Sequence, residues 1–159
     1  MLLPSIRPAA VLLAAAAAAL AAPAATRAAP PDGMVVLKSP HRAAETMNRL
    51  ESITRERGLN VFARIDHAAG AAKVGKTLAP TAVLIFGNPQ GGTPLMECAQ
   101  TAGIDLPLKA LVWEDASAQA WIGYNDPAWI ATRHGAAQCP AAANLAKALA
   151  GIAAAAVAP

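Results

Sequence analysis

The order of strand and helix signals along residues 34–152 constrains the fold of this chain more than any other feature. Short segments rich in apolar and β-branched residues, typical of strands, alternate with segments of helical periodicity. The predicted order is strand, helix, strand, a short alanine-rich turn, strand, helix, two strands and two helices. This order predicts an α+β fold. We expect a two-layer sandwich with one mixed or antiparallel sheet of about five strands and helices packed on one face.

The helix boundaries come from proline near the start of each helix and glycine after its end. The predicted helices open at four places: Ser39-Pro40, Thr93-Pro94, Asp126-Pro127 and Pro140. Glycine closes the first three, at Gly58, Gly103 and Gly135. On this interpretation Ser39 is an N-cap, and the GNPQGG segment of residues 87–92 is a loop. The last helix is predicted to end at Ile152.

Two strand patterns carry further predictions. The alternation in LNVFARI predicts one strand face toward the core, formed by Leu59, Val61, Ala63 and Ile65. The continuous apolar run TAVLIF of residues 81–86 predicts a central strand. Alternation also places Trp121 and Tyr124 on opposite faces of a later strand, so one of these rings is a candidate for an interface.

The first residues have the organisation of an export signal. Arg7 precedes an apolar run at residues 9–22 (AAVLLAAAAAALAA), and small residues with candidate cleavage sites follow. The run falls short of the about 20 residues that a membrane span needs, although an uncleaved anchor is the alternative. We therefore expect a signal peptide at 1–28, a spacer at 29–33, one domain at 34–150 and a low-complexity tail at 151–159.

Charge excludes one class of partner. The chain has 13 Lys and Arg against 10 Asp and Glu, and two of the arginines, Arg7 and Arg27, lie in the predicted signal. The remaining 11 basic and 10 acidic side chains leave a net charge of +1, which argues against nucleic-acid binding. No stable membrane span is expected after signal cleavage, and the expected location is periplasmic or secreted.

The sequence contains two cysteines, Cys98 and Cys139. Export would allow them to form a disulfide, because oxidising compartments permit such bonds. A bond between them would close a loop of about 40 residues and stabilise the fold by about 4 kcal/mol. A bonded pair, two free thiols, and a catalytic or ligand thiol are the alternatives that the sequence leaves open.

Several strings resemble the domain of unknown function family 302. They are GLNVFARIDHAAGAAKVG at 58–75, TAVLIFGNPQGGTPLM at 81–96, IDLPLKALVWED at 104–115 and YNDPAWIATRHG at 124–135. The resemblance covers about Met34 to Leu149 and implies a small two-layer α+β domain, often a whole protein and dimeric. It implies no agreed activity. The family pattern lacks a cysteine after Met96, so no family mechanism is built on Cys98.

Polar residues at predicted strand ends form the candidate ligand site: Asp66, His67, Asn88, Tyr124 and His134. His67 would begin a helix and His134 would end one, so the helix dipole favours neutral and cationic imidazole respectively. Such a pair is compatible with metal binding or acid–base work. The structural alternatives are helix capping by Asp66 and His134, and a tight strand-to-helix turn at Asn88.

No motif fixes a reaction. The favoured interpretation is an exported, non-enzymatic binding or interaction module of the cell envelope, homodimeric, with an unidentified small ligand or envelope partner. The alternatives are a metal- or redox-cofactor protein that uses His67 and His134, and a small acid–base enzyme. The sequence identifies no cofactor.

Overall fold

A computed structural model describes residues 30–159; the predicted signal peptide at 1–28 and the first residue of the predicted spacer lie outside this range. Five strands and five α-helices follow one another, with a short 3-10 helix at Gln100–Ile104 between α3 and β4. Their bounds are β1 Met34–Lys38, α1 Ala43–Glu56, β2 Asn60–Asp66, α2 His67–Lys73, β3 Thr81–Gly87, α3 Pro89–Cys98, β4 Leu108–Glu114, β5 Ala120–Asn125, α4 Pro127–Arg133 and α5 Pro140–Ala156. The element order agrees with the sequence prediction.

The strands form one antiparallel sheet in the order β1-β5-β4-β3-β2. β4 and β5 form a hairpin, and β1 joins the sheet through β5. Helices α1 and α5 pack on one face of the sheet, where their apolar residues meet those of the strands. The central core includes Met47, Leu50, Leu84, Phe86, Val112, Ile122, Tyr124, Leu149 and Ile152. The predicted α+β sandwich with helices on one face is confirmed.

The opposite face of the sheet, which we term the open face, presents a row of apolar residues across the strands. The register aligns Ile65 with Val83, Val83 with Leu111, and Leu111 with Gly123. A second row aligns Trp113 with Trp121. Apart from Gly123, which has no side chain, these residues are half-buried or exposed, in contrast to the fully buried residues with which they alternate.

Position 123 on the open face requires glycine, because two neighbouring side chains approach its backbone closely. A Cβ at this position would overlap the Met34 side chain and lie 3.0 Å from the Trp113 ring. Two large side chains therefore cross over the glycine, and even a methyl group there would displace them.

Helix α1 begins at Ala43, so the prediction of a start at Pro40 with Ser39 as N-cap is wrong. The Ser39 hydroxyl is buried and hydrogen-bonds the Thr46 hydroxyl at 2.7 Å. The backbone N–H of Ala43 instead donates to the Glu114 carboxylate at 3.1 Å, and Arg42 donates to the same carboxylate at 3.0 Å. A carboxylate distant in sequence thus satisfies the helix start that a local serine was expected to cap.

A β-bulge divides strand β2. Val61 pairs with Phe86, but Ala63 pairs with Ile85, so the extra residue is Phe62. The bulge reverses the facing of the strand beyond it, which corrects the prediction that Ala63 and Ile65 face the core. Both point to the open face, and Arg64 reaches Asn48 on α1 at 2.7 Å.

Helix α3 begins one turn earlier than predicted. Asn88 is its N-cap and Pro89 its first residue, so the expected loop forms the first turn and Pro94 lies inside the helix. The structure joins Cys98, the last residue of α3, to Cys139, the N-cap of α5, in a disulfide bond.

Helix α5 continues to Ala156, four residues beyond the predicted end at Ile152. Ile152, Ala153 and Ala156 are buried in the central core. Arg49 of α1 donates to the carbonyl of Ala156 at 3.0 Å. The alanine-rich stretch is therefore helical because its small side chains allow close packing against α1.

Candidate functional site

A cavity of about 440 Å³ opens between α3, α5 and the end of the sheet where β3 finishes and β4 begins. Its lining is apolar. The residues are Leu59, Phe62, Phe86, Gly87, Asn88, Pro89, Gly91, Gly92, Thr93, Met96, Gly103, Leu106, Pro107, Leu108, Leu145, Ala148, Leu149 and Ile152. None of them is titratable, and only Asn88 and Thr93 carry polar side chains. The size and lining match those of ligand pockets in general.

Glycines hold the cavity walls close together. A Cβ at Gly91 would lie 3.0 Å from Cδ2 of Leu145 on α5 and 3.2 Å from the side-chain oxygen of Asn88. The first turn of α3 can therefore approach α5 only because it has no side chain there.

Phe62 is the lining residue on the edge strand. It lies at the bulge of β2, and its side chain is 57% exposed although it is large and apolar. Burial of an exposed phenylalanine by an apolar ligand is favourable, so this ring can contribute to binding at the rim.

Asp66 and His67 lie at the far end of β2 from this cavity. The Asp66 carboxylate accepts a hydrogen bond from the N–H of Ala69 at 2.8 Å, which confirms the predicted cap of α2. His67 follows as the first residue of α2 and is exposed. A smaller recess of about 240 Å³ includes Asp66 and Arg64 but not His67.

Asn88 is the one predicted ligand residue that lines the cavity. Its side-chain oxygen accepts from the N–H of Gly91 at 2.8 Å, which fixes the side chain as the cap of α3. The residue thus has a structural role and a place at the cavity wall.

Tyr124 belongs to the core, where 5% of the residue is exposed. Burial, together with the negative charge of Asp126, raises the pKa of its phenol. A neutral, buried tyrosine on the helix-covered face leaves Trp121 as the ring on the open face, in agreement with their predicted opposite orientations. The Trp121 indole N–H donates to Asp115 at 2.8 Å.

His134 ties the end of α4 to the segment before β4. One ring nitrogen lies 2.8 Å from the Asp105 carboxylate and the other 3.0 Å from the Thr101 hydroxyl. Arg133 also donates to Asp105, at 3.0 Å. Each nitrogen of the imidazole has a protein partner, and neither His134 nor Asp105 lines the large cavity.

The five predicted residues do not line one cavity. The register pairs Asp66 with Ala82, and Asn88 follows six residues later along β3, a separation of about 20 Å at 3.3 Å per residue. His134 contacts Asp105, which precedes β4 at the same sheet end as Asn88. His67 and His134 therefore lie at opposite ends of the sheet, and the structure does not bring the five candidate residues together.

No group of three or more His, Cys, Asp or Glu side chains within residues 30–159 has an arrangement that could hold a metal ion. In the same range, no helix is both long and apolar enough to cross a membrane. The candidate residues predicted from the sequence are all polar, so the apolar cavity was not predicted. The glycines of the segment 87–92 were its available signal, since glycine marks close approach of two elements.

The chain shares part of its sequence with proteins named as fluoride-specific ion channels. It is 51% identical over 102 residues to "Fluoride-specific ion channel FluC 1" of Brucella suis biovar 1, a match that covers 64% of this chain and 40% of that protein. "Fluoride-specific ion channel FluC 2" of Brucella melitensis biotype 1 shows the same identity and covers 38% of that protein. The chain thus spans about two fifths of the length of these curated relatives.

The fold matches a solved structure, titled "Crystal structure of uncharacterized conserved protein DUF302 from Bacillus stearothermophilus", with a TM-score of 0.71. The match covers 78% of this chain and 98% of that one, at 21% identity, and shows a common fold. The sequence profile described as "Domain of unknown function DUF302" matches residues 35–155, nearly the whole of the described range. The resemblance noted in the sequence is thereby confirmed, and the chain belongs to the DUF302 family.

Proposed function

We propose that this protein is a binding module of the cell envelope that holds a small apolar molecule in the cavity between α3 and α5. The observation that carries this proposal is the cavity of about 440 Å³ with no titratable lining residue. Its volume falls within the about 300–1,000 Å³ typical of small-molecule sites.

The lining defines the chemistry of the ligand. An ionised group placed deep in this cavity would lose its hydration without gaining a charged partner. A hydrocarbon chain or ring would instead gain the burial energy of about 25 cal/mol per Å². The two polar lining residues, Asn88 and Thr93, supply hydrogen-bonding capacity for one polar end of the ligand.

A neutral apolar dye, N-phenyl-1-naphthylamine, provides a direct test. We expect saturable fluorescence enhancement at a stoichiometry of one dye per chain. Ala148→Trp should reduce dye affinity at least tenfold, because Ala148 lines the cavity yet is exposed, so the new ring can block the opening without entering the core. Mass spectrometry of an organic extract of the natively purified protein would identify any carried ligand.

Ala150→Trp is the matched control. Ala150 is also an exposed residue of α5 but does not line the cavity. Equal dye affinity in the two tryptophan variants would show that the dye binds elsewhere and would refute the proposal.

The proposal includes a homodimer formed through the open face. Its large apolar members are Met34, Val36, Ile65, Val83, Ile85, Leu111, Trp113 and Trp121. Five strands of up to seven residues give this face dimensions of about 20 by 24 Å. A second copy offers a face of the same size and apolar character, as a two-fold interface requires, and sheets commonly pack face to face about 10 Å apart.

Light scattering after size exclusion tests the dimer. Leu111→Glu places a charge at the centre of the open face and should yield a monomer. Lys109→Gln, at the end of the same strand, should leave the dimer intact. A wild-type monomer at tens of micromolar, or a dimer that survives Leu111→Glu, would exclude this interface.

We infer an exported location from the residues before the domain. Expression of the full chain in a bacterial host, followed by fractionation and N-terminal sequencing, should give periplasmic protein that begins within a few residues of position 29. Protein that stays in the cytoplasm with Met1 in place would contradict export.

A second candidate function is suggested by the Brucella relatives. Because the similarity to proteins named as fluoride channels reaches 51% over 102 residues, we propose that this domain acts together with such a channel. Deletion of the matching region from the Brucella suis protein should lower fluoride tolerance in a fluoride-sensitive strain, and this chain supplied separately should restore it in part. Full tolerance after the deletion, or no restoration, would reject the association.

A further inference from the structure

Exposed apolar side chains concentrate at one end of the sheet. Of the five large hydrophobic residues exposed within residues 30–159, three are close in sequence around α2. They are Ile65 at 43%, Val74 at 73% and Leu78 at 47% exposure. Single exposed apolar residues are ordinary on protein surfaces, whereas a group of them marks a contact region.

The segment that carries two of them is also basic. Residues 67–80 read HAAGAAKVGKTLAP and contain Lys73 and Lys76 but no Asp or Glu. Helix α2 has no buried residue. Gly75 adopts a positive φ of 70° with nothing within 4 Å of a Cβ, which turns the chain at an exposed tip between the two lysines.

We propose that residues 73–78, which we term the basic tip, dock on the surface of an anionic phospholipid bilayer. Val74 and Leu78 would enter the boundary between headgroups and acyl chains, and the ammonium groups of Lys73 and Lys76 would lie at the phosphate level. This combination of apolar insertion and lysine attraction is the general mode of peripheral membrane binding. The long lysine stems can lie along the acyl boundary while their charges remain hydrated.

Three carboxylates at this end of the sheet accept hydrogen bonds from other groups of the protein. Asp66 caps α2 through Ala69. Glu114 is buried and bonded to Arg42 and Ala43. Asp115 accepts from Ser117 and Trp121. Hydrogen bonds from neutral donors leave Asp66 and Asp115 charged, but these carboxylates lie outside the basic tip, whose own charged groups are Lys73 and Lys76. These two lysines complement lipid phosphate rather than an apolar copy of the same surface.

The proposal goes beyond the binding module described above, since the basic tip shares no residue with the cavity. Failure of one would leave the other standing. A protein that binds the dye but not vesicles, or vesicles but not the dye, separates the two proposals.

Co-sedimentation with vesicles is the first test. The protein purified from the envelope of a host expressing the full chain is mixed with vesicles of phosphatidylcholine alone or with 30% phosphatidylglycerol. We expect binding to the anionic vesicles and little to the neutral ones. Lys73→Gln and Lys76→Gln should each weaken binding about fivefold, and the double variant Val74→Ser, Leu78→Ser should reduce it at least tenfold.

Matched controls exist elsewhere on the chain. Ile104→Ser removes a side chain that is 75% exposed, and Lys147→Gln removes an exposed lysine of α5. Neither should change vesicle binding. Because all variants share the same N-terminal residues, any contribution of those residues is common to every measurement. Equal binding by wild type and the Val74, Leu78 variant would overturn the proposal.

A site-specific probe gives a second test that does not depend on lost binding. The sequence contains two cysteines, and they are bonded to each other. Val74→Cys therefore supplies a single free thiol for an environment-sensitive fluorophore, and Ile104→Cys supplies the control. A blue shift with anionic vesicles at position 74 and none at 104 supports insertion of the basic tip. Equal shifts, or no shift at 74, refute it.

Discussion

Loss of the disulfide should lower the stability of the domain by an amount that its position predicts. Cys98→Ser is the perturbation, since Cys98 is exposed at the end of α3 and its replacement removes no core contact of its own. The bond joins residues 41 positions apart. In the chain-entropy model a loop of this length restricts the unfolded chain by about 13 cal/mol/K, which is about 4 kcal/mol at 25 °C.

The assay is urea denaturation followed by circular dichroism, with and without a thiol reductant. Wild type in reductant should approach the Cys98→Ser variant, and the variant itself should not respond to reductant. Thermal unfolding is a second measurement. With an unfolding entropy of about 2.1 cal/mol/K per residue over about 130 residues, the midpoint of thermal unfolding of the Cys98→Ser variant should lie about 15 °C below that of the wild type. A loss below about 1 kcal/mol in the variant would refute the view that the bond constrains the unfolded chain.

Three further outcomes are expected. The Ser117 hydroxyl and its neighbouring donors lower the pKa of Asp115 from 3.8 to about 2. The stabilisation from this carboxylate is therefore present above pH 3.8 and is lost as the pH falls toward 2. Carboxyl NMR titration should show the low midpoint, and Ser117→Ala should raise that midpoint. Burial raises the pKa of Tyr124 above its ordinary 10.0. With respect to this group, the free energy of unfolding should therefore be constant below pH 10 and decrease above it. Tyrosinate absorbance should show that Tyr124 titrates at higher pH in the folded protein than in the unfolded one. Gly123→Ala should destabilise by about 1–3 kcal/mol in urea because of the overlap described above, whereas Gly70→Ala, a helical position with open space around it, should stabilise by about 0.5–1 kcal/mol; equal effects would contradict the packing argument.

Local patterns in the sequence were sufficient for the element order and the sheet, because strands and helices each have a period that burial imposes. The cap of α2 by Asp66 was also predictable, since its partner Ala69 is three residues away. The start of α1 was not predictable from neighbouring residues. Glu114 supplies that cap from 71 residues further along the chain, and no local pattern records such a partner.

The predicted facing of β2 is wrong and the predicted polar residues do not lie together, for related reasons. Strict alternation assumes a continuous ladder, so one bulged residue, Phe62, reverses every side chain after it. The polar residues chosen from strand ends, including His67 and His134, lie at two ends of an antiparallel sheet. Which strand end meets which is a property of the topology. The apolar cavity had no polar signature at all, only the glycines that allow α3 and α5 to approach each other.

The antiparallel course of β3 gives the domain two poles. Residues 74–80 lead into β3 at one pole, and the cavity opens where β3 ends at the other. The length of the strand separates them by about 20 Å. With the basic tip resting on a bilayer, the cavity would be held above the headgroups and open to the aqueous compartment. Its ligand would therefore be exchanged with the surrounding solution or a soluble carrier, and not be drawn directly from the lipid phase.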